Sequence, residues 1–354
     1  MVLKVAGHPA VYKDHIFGEI VNQFMPPKYL RVSDDHIVLD LVFSHPELVV
    51  VSSDLMNWSH ASKGWCHAVF QNVRKLRFTE GIDSGQINGL TRLCALEELT
   101  INSINVADMS ALASLTRLEH LDLMYSRVSD VSSLAALTML KHLKIKRTNV
   151  SDVSSLAGLT RLEHIDLNET RVSDVSALAG LTRLEHLELR STQVSDVSSL
   201  AAALAMLKHL NIGHTKVSDV SSLAALTRLQ HLDLRCTKVS DVSALTTLKT
   251  LGMQDSKICV STLSSLTLLT WLDLSRSGSC VEDITPLSTL GSLQILNLED
   301  TEVTDITPLY ALSTLKRLHL ARTNVTKEAV NNLKNVINAY VYPDDSEDDY
   351  DSED

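Results

Sequence analysis

Aromatic residues are scarce in this chain: they make up 4% of its 354 residues, and eight of the fifteen lie before residue 72. Beyond that point a core has to be built from leucine and valine, so the first 72 residues stand apart from the rest. The five cysteines, Cys66, Cys94, Cys236, Cys259 and Cys280, are scattered without a Cys-x-x-Cys spacing. This argues against a disulfide framework or a cysteine zinc site and fits a reducing compartment. No run of about eighteen apolar residues offers a membrane-spanning helix. The opening MVLKVAGHPAVYKD lacks the apolar stretch of a secretory leader. A soluble intracellular protein, cytoplasmic or nuclear, is therefore expected. Basic excess is missing too. The net charge is −11, and eight of the eleven residues 344–354 are acidic, leaving about −3 for the body. A general nucleic-acid-binding surface shows the opposite balance, so nucleic acid is not the expected partner.

What is abundant is self-similarity. Leu96, Leu118, Leu140, Leu162, Leu184, Leu207 and Leu229 follow one another at 22 residues, with one step of 23 where an extra alanine sits near Ala203. Leu248, Leu269, Leu293 and Leu315 continue the series at steps of 19, 21, 24 and 22. With Val73 and Ile337 the register covers about thirteen units. In the unit that begins at Leu118, the residues Leu118, Leu121 and Leu123 give way to Ser126, Val128, Asp130, Val131, Leu134 and Leu137. The leucine alternation predicts a short strand with one buried face. The later spacing of apolar residues predicts a helical or 3-10 segment on the opposite wall. One unit cannot cover either apolar face alone, so neighbours must stack. The expected fold class is α/β: a solenoid with a curved parallel sheet on the concave side and short helical or 3-10 segments on the convex side.

These motifs resemble the leucine-rich-repeat superfamily, specifically its 22-residue class. That class includes internalins and the leucine-rich regulatory subunit of protein phosphatase 1. DITPLSTLGSLQILNLEDTEVTDITPL is especially similar to internalin repeats. The resemblance covers about three quarters of the chain and implies a protein-binding scaffold without cofactors, but names no partner. Where the family commonly carries an asparagine ladder, this chain has Ser126, Thr148, Thr170, Thr192, Thr215, Thr237, Thr301 and Thr323. Their hydroxyls are expected to bond the backbone as it leaves the strand. Asp130, Asp152, Asp174, Asp196, Asp219 and Asp241 are expected to serve the same turn.

The two ends differ from the array. Thr326 is expected to cap a helix carrying Ala329, Val330, Leu333 and Val336, followed by a last strand over 339–342. The acidic tail 343–354 is expected to be disordered, and Ser346 and Ser352 within it suit an acid-directed kinase. Residues 1–72 read as a small helical N-terminal cap on the solenoid at 73–342. The stretch from Pro46 to Trp65 also resembles the second half of an F-box, with Leu48 and Trp58 at the matching spacing. The family's Leu-Pro opening is absent, because Arg31 follows Leu30. That resemblance implies a ubiquitin-ligase adaptor as partner and a substrate-receptor role. A third reading, from the acidic tail, is a binder of basic nuclear proteins.

No phosphate-binding glycine loop, nucleophile elbow or H-E-x-x-H pair is present, so the chain is not expected to be an enzyme. The clearest site signal is a histidine column: His120, His142, His164, His186, His209 and His231, each one residue before a strand leucine. That position points away from the core, toward the concave surface, and stacked strands lie about 4.8 Å apart. A companion column stands two residues on: Asp122, Lys144, Asp166, Glu188, Asn211 and Asp233. Three readings stay open for the histidines: inheritance from repeat duplication, a partner-binding stripe, or a metal site. A straight ladder does not converge three ligands on one point, so no metal is assigned. Tyr125, Arg147, Arg190, Arg235, Trp271 and Arg276 vary from unit to unit at the strands and their ends. They complete the expected partner-binding surface, with Tyr125 and Trp271 as anchors.

Overall fold

The computed structural model describes residues 2–5, 8–11, 48–50, 74–78, 87–201 and 204–342. The chain divides into two compact units, Met1–Val172 and Ser173–Asp354. In both, the leucine alternation becomes a strand of three or four residues and the return path becomes a short 3-10 segment. Leu118, Leu121 and Leu123 from the strand side meet Val128, Val131, Leu134 and Leu137 from the return wall, all at 2% exposure or less. Each buried leucine contributes about 1.5–3 kcal/mol relative to an exposed one. Repetition of that layer is what holds the stack together.

In the first unit, β1 (Val2–Val5) pairs antiparallel with β2 (His8–Val11) and with β3 (Leu48–Val50). From there the sheet is parallel through β4 (Lys75–Phe78), β5 (Glu98–Ile101), β6 (His120–Asp122), β7 (His142–Lys144) and β8 (His164–Asp166). Apart from these first strands, the helical cap expected over 1–72 lies outside the described residues, as does the tail 343–354.

The second unit holds β9 (His186–Glu188), β10 (His209–Asn211), β11 (His231–Asp233), β12 (Thr250–Gly252) and β13 (Trp271–Asp273). β14 (Ile295–Asn297), β15 (Arg317–His319) and β16 (Tyr340–Tyr342) complete it, every neighbour parallel and in register. The two irregular repeats fall here. The extra alanine of the 23-residue repeat accompanies α1 (Ser198–Ala201), where most other repeats have a 3-10 turn, and Leu204 N–H donates four residues back to the Leu200 carbonyl at 3.2 Å. The 19-residue repeat has no helical segment, only a turn around Val242 and Leu245. Both adjustments sit on the return wall, so the strands keep their register.

The path from each strand to its return wall is held by three devices. The hydroxyl column bonds backward as expected: Thr148 Oγ1 donates to the Ile145 carbonyl at 2.7 Å, and Thr237 Oγ1 to that of Leu234 at 2.6 Å. The aspartate column caps the return wall, with Asp130 and Asp219 each accepting from a backbone N–H two residues on at 2.8 Å. Those backbone bonds hold the carboxyls of Asp108, Asp130, Asp174, Asp196, Asp219 and Asp241 below the usual value. The third device carries no sequence signature. Tyr125, Arg147, Glu169, Ser191, His214, Cys236, Asp255, Arg276, Asp300 and Arg322 all adopt φ between 51° and 63°. This left-handed conformation costs an L-residue roughly 1–2 kcal/mol. It aims the backbone N–H at the next repeat, as when Tyr125 donates to the Lys146 carbonyl at 3.0 Å.

At the C-terminus Thr326 Oγ1 accepts from Ala329 N–H at 3.2 Å and starts α2 (Lys327–Val336). Val330, Leu333 and Ile337 are the residues it buries, whereas Val336 is 57% exposed. The face at i, i+3 and i+7 wins over the one expected through Val336.

Candidate functional site

On every strand the middle residue faces the core, which leaves the first and third on the open face of the sheet. In the first unit this brings His120, His142 and His164 side by side, with ring centroids 4.4 Å and 6.0 Å apart. In the second, His186, His209 and His231 stack at 4.2 Å and 3.9 Å. Half-burial pushes the imidazoles of His142, His186 and His231 below the ordinary histidine value. Glu163 and Glu185 pull His142 and His186 the other way, while Lys141, Lys144, Lys208 and Lys249 add to the depression. Among the described residues no group of three histidines, cysteines or carboxylates is placed to hold a metal ion.

The companion column has a structural duty that sequence reasoning missed. Asp122, Asp166 and Asp233 accept from the backbone N–H groups of Met124, Asn168 and Arg235 at 2.9–3.1 Å. Asn211 does the same for Gly213 at 3.1 Å. An acceptor two residues before the donor was the available signal. Burial raises the Asp166 carboxyl despite that bond. Lys144 is exposed, and Glu188 accepts from Asn211 Nδ2 at 2.9 Å.

Tyr125 and Arg147 occupy the left-handed turn positions just beyond their strands. Arg147 holds its guanidinium 5.3 Å from the centre of the Tyr125 ring and donates from Nε to Glu169 at 2.6 Å. Tyr125, Arg147 and Glu169 thus form one chain across three adjacent turns. In the second unit Arg235 folds back on Asp233, its Nε 2.8 Å and Nη2 2.5 Å from Oδ2. Trp271 opens β13 half-buried, while Arg190 and Arg276 are exposed. Arg235 and Trp271 join His209, His231, Thr250 and Gly252 around an open hollow of about 210 Å³. Leu48 opens β3; Trp58, Ser346 and Ser352 lie outside the described residues.

A family model described as "Leucine Rich repeats (2 copies)" matches residues 160–202 and 206–247. No curated protein matches the sequence. An internalin from Listeria monocytogenes is 26% identical, with a TM-score of 0.69 over 88% of this chain and 90% of its own. A leucine-rich-repeat protein from Leptospira interrogans is 16% identical, with a TM-score of 0.62 over 80% of this chain and 86% of its own. A plant peptide hormone receptor, solved in complex with RGF2, is 17% identical at a TM-score of 0.57, covering 76% of this chain and 47% of that one.

Proposed function

We propose that this chain, a member of the leucine-rich-repeat superfamily, is a non-enzymatic scaffold or adaptor that holds a protein partner on the open face of its strands. The observation that carries this reading is a contrast within each repeat. Beneath the sheet the residues hardly change and are sealed from water. At the strand ends they differ from unit to unit and stay accessible, with Tyr125 45% exposed. Side chains fixed before a partner arrives lose less freedom on binding, and the Tyr125–Arg147–Glu169 chain is held in that way. Exposed Tyr, Trp and Arg are also the residue types that dominate interface energetics.

The test is affinity capture from native lysate on immobilised full-length protein, read by mass spectrometry. A variant carrying Tyr125→Ala, Arg147→Ala and Trp271→Ala is expected to lose the specific partner at least about tenfold. A variant with Arg117→Ala and Arg161→Ala, which leaves the strand face unchanged, is expected to keep it. Equal capture by all three proteins overturns the proposal. Capture of a ubiquitin-ligase adaptor that depends on Leu48 and Trp58 replaces it with the substrate-receptor reading. Capture of basic nuclear proteins that depends on residues 343–354 replaces it with the acidic-tail reading.

A further inference from the structure

Gly252 interrupts an otherwise continuous row. The third strand position carries Glu188, Asn211, Asp233, Asp273, Asn297 and His319 on β9, β10, β11, β13, β14 and β15, and only β12 offers a hydrogen. The backbone does not require glycine there. A Cβ on Gly252 would meet nothing closer than Asp233 Oδ1 at 3.4 Å, an ordinary contact, and its φ is not in the left-handed region. What glycine supplies is space: the Asp233 and Arg235 side chains lean over it and bury it, and a hollow of about 210 Å³ opens beside them. The strands at Leu210 and Leu232, whose side chains turn to the core, run beneath it; Trp271, the His231–Thr250 pair and Arg235 line it.

The lining is selective in charge. Glu188 and Asp233 are acidic, Arg235 alone is basic, and Asp273 stands beside Gly252 across the strand pair. Arg235 is held by Asp233 and forms a fixed wall. His231, with Nδ1 2.7 Å from Thr250 Oγ1, is kept neutral near pH 7 by its burial and by the charge of Lys249 beside it. A negative balance beside an indole ring is a setting that attracts a cation.

We infer that the hollow over Gly252 seats one basic side chain, arginine or lysine, of the protein partner. The stem of that side chain enters the hollow that Gly252 helps to line, and its charged head lies between the Trp271 ring and the carboxylates. The inference rests on the reading of the strand face as a binding surface, and it names the chemistry of one contact on it.

The experiment titrates N-acetyl-arginine amide into the full chain and follows the Trp271 indole N–H by NMR. A saturable shift is expected, with a dissociation constant on the order of 10 mM. N-acetyl-citrulline amide, of the same shape without the charge, is expected to bind at least about fivefold more weakly. Gly252→Leu should abolish the shift. Glu188→Gln, which leaves the space open, should weaken it about threefold. No saturation by about 100 mM arginine amide, or equal binding of the citrulline compound, overturns the inference. If that happens while the triple strand-face variant still loses its partner, the seat fails alone and the scaffold reading stands. If arginine amide binds as expected while capture ignores the strand face, the scaffold reading fails instead.

Discussion

The imidazole of His231 lies flat on that of His209, with centroids 3.9 Å apart and planes within 4° of parallel. Two rings in that arrangement repel if both carry a proton, and half-burial already disfavours charge on His231.

The stability of the protein is expected to fall as pH drops below about 6.5. In the unfolded chain histidines take up a proton near that value, whereas His142, His186 and His231 resist it to lower pH when folded. Between the two values the unfolded state binds more protons, so acid favours it, and the loss levels off once the folded rings are protonated too. The depressed aspartates of the turns act in a separate window: their contribution is full above about pH 4 and is lost below it. Asp166, raised by burial, takes up its proton earlier in the folded state and so opposes the histidine step above about pH 4, not the aspartate loss below it. Urea midpoints from about pH 7.5 to about pH 2 should show the two steps. A variant with glutamine at His142, His186 and His231 should show a smaller first step, the remainder belonging to His319, which burial also depresses, and an unchanged first step would refute this account.

Thr148→Val keeps the shape of a 6%-exposed side chain and removes its 2.7 Å bond to the Ile145 carbonyl. A loss of about 1–2 kcal/mol is expected, because a buried carbonyl gives up a partner. Chemical denaturation measures it; a loss below about 0.3 kcal/mol would show that the carbonyl is satisfied without the hydroxyl.

Leu156→Ala should cost about 2–5 kcal/mol, since Leu156 is fully buried on the return wall. Leu268→Ala, at 52% exposure, should stay within about 0.5 kcal/mol. The pair of unfolding curves tests the layer packing, and similar costs at the two sites would contradict it.

At Ser191, φ is 57° and the N–H donates to the Gly213 carbonyl at 2.9 Å. Ser191→Gly is expected to be neutral or to stabilise by up to about 1 kcal/mol, and Ser191→Val to destabilise by about 1–3 kcal/mol. The opposite order in thermal melts would rule out strain at this turn.

Periodicity made the strands, the return wall and both polar columns legible before any coordinates, because each follows from a packing or hydrogen-bonding need repeated at fixed spacing. The left-handed turn was not legible. Tyr125 and Arg147 are not residues that advertise positive φ, and the hydrogen bond to the next repeat overrides their preference. Nor could the sequence show that Asp233 would be shared between its own turn and Arg235. In α2 the spacing allowed two apolar faces, and contact with the last repeat chose the one through Ile337. The hollow was invisible because a single glycine at Gly252 reads as noise until its row is seen.

The repeats of 23 and 19 residues take up their extra and missing residues on the return wall and leave β9 to β12 aligned. Length and alignment are thereby uncoupled. A copying error during repeat duplication changes the bulk of the back of the array without shifting the lateral order of residues on its front. Such a chain can gain or lose residues and still present an old arrangement of side chains, so new contacts can arise one residue at a time on a surface whose geometry is already settled.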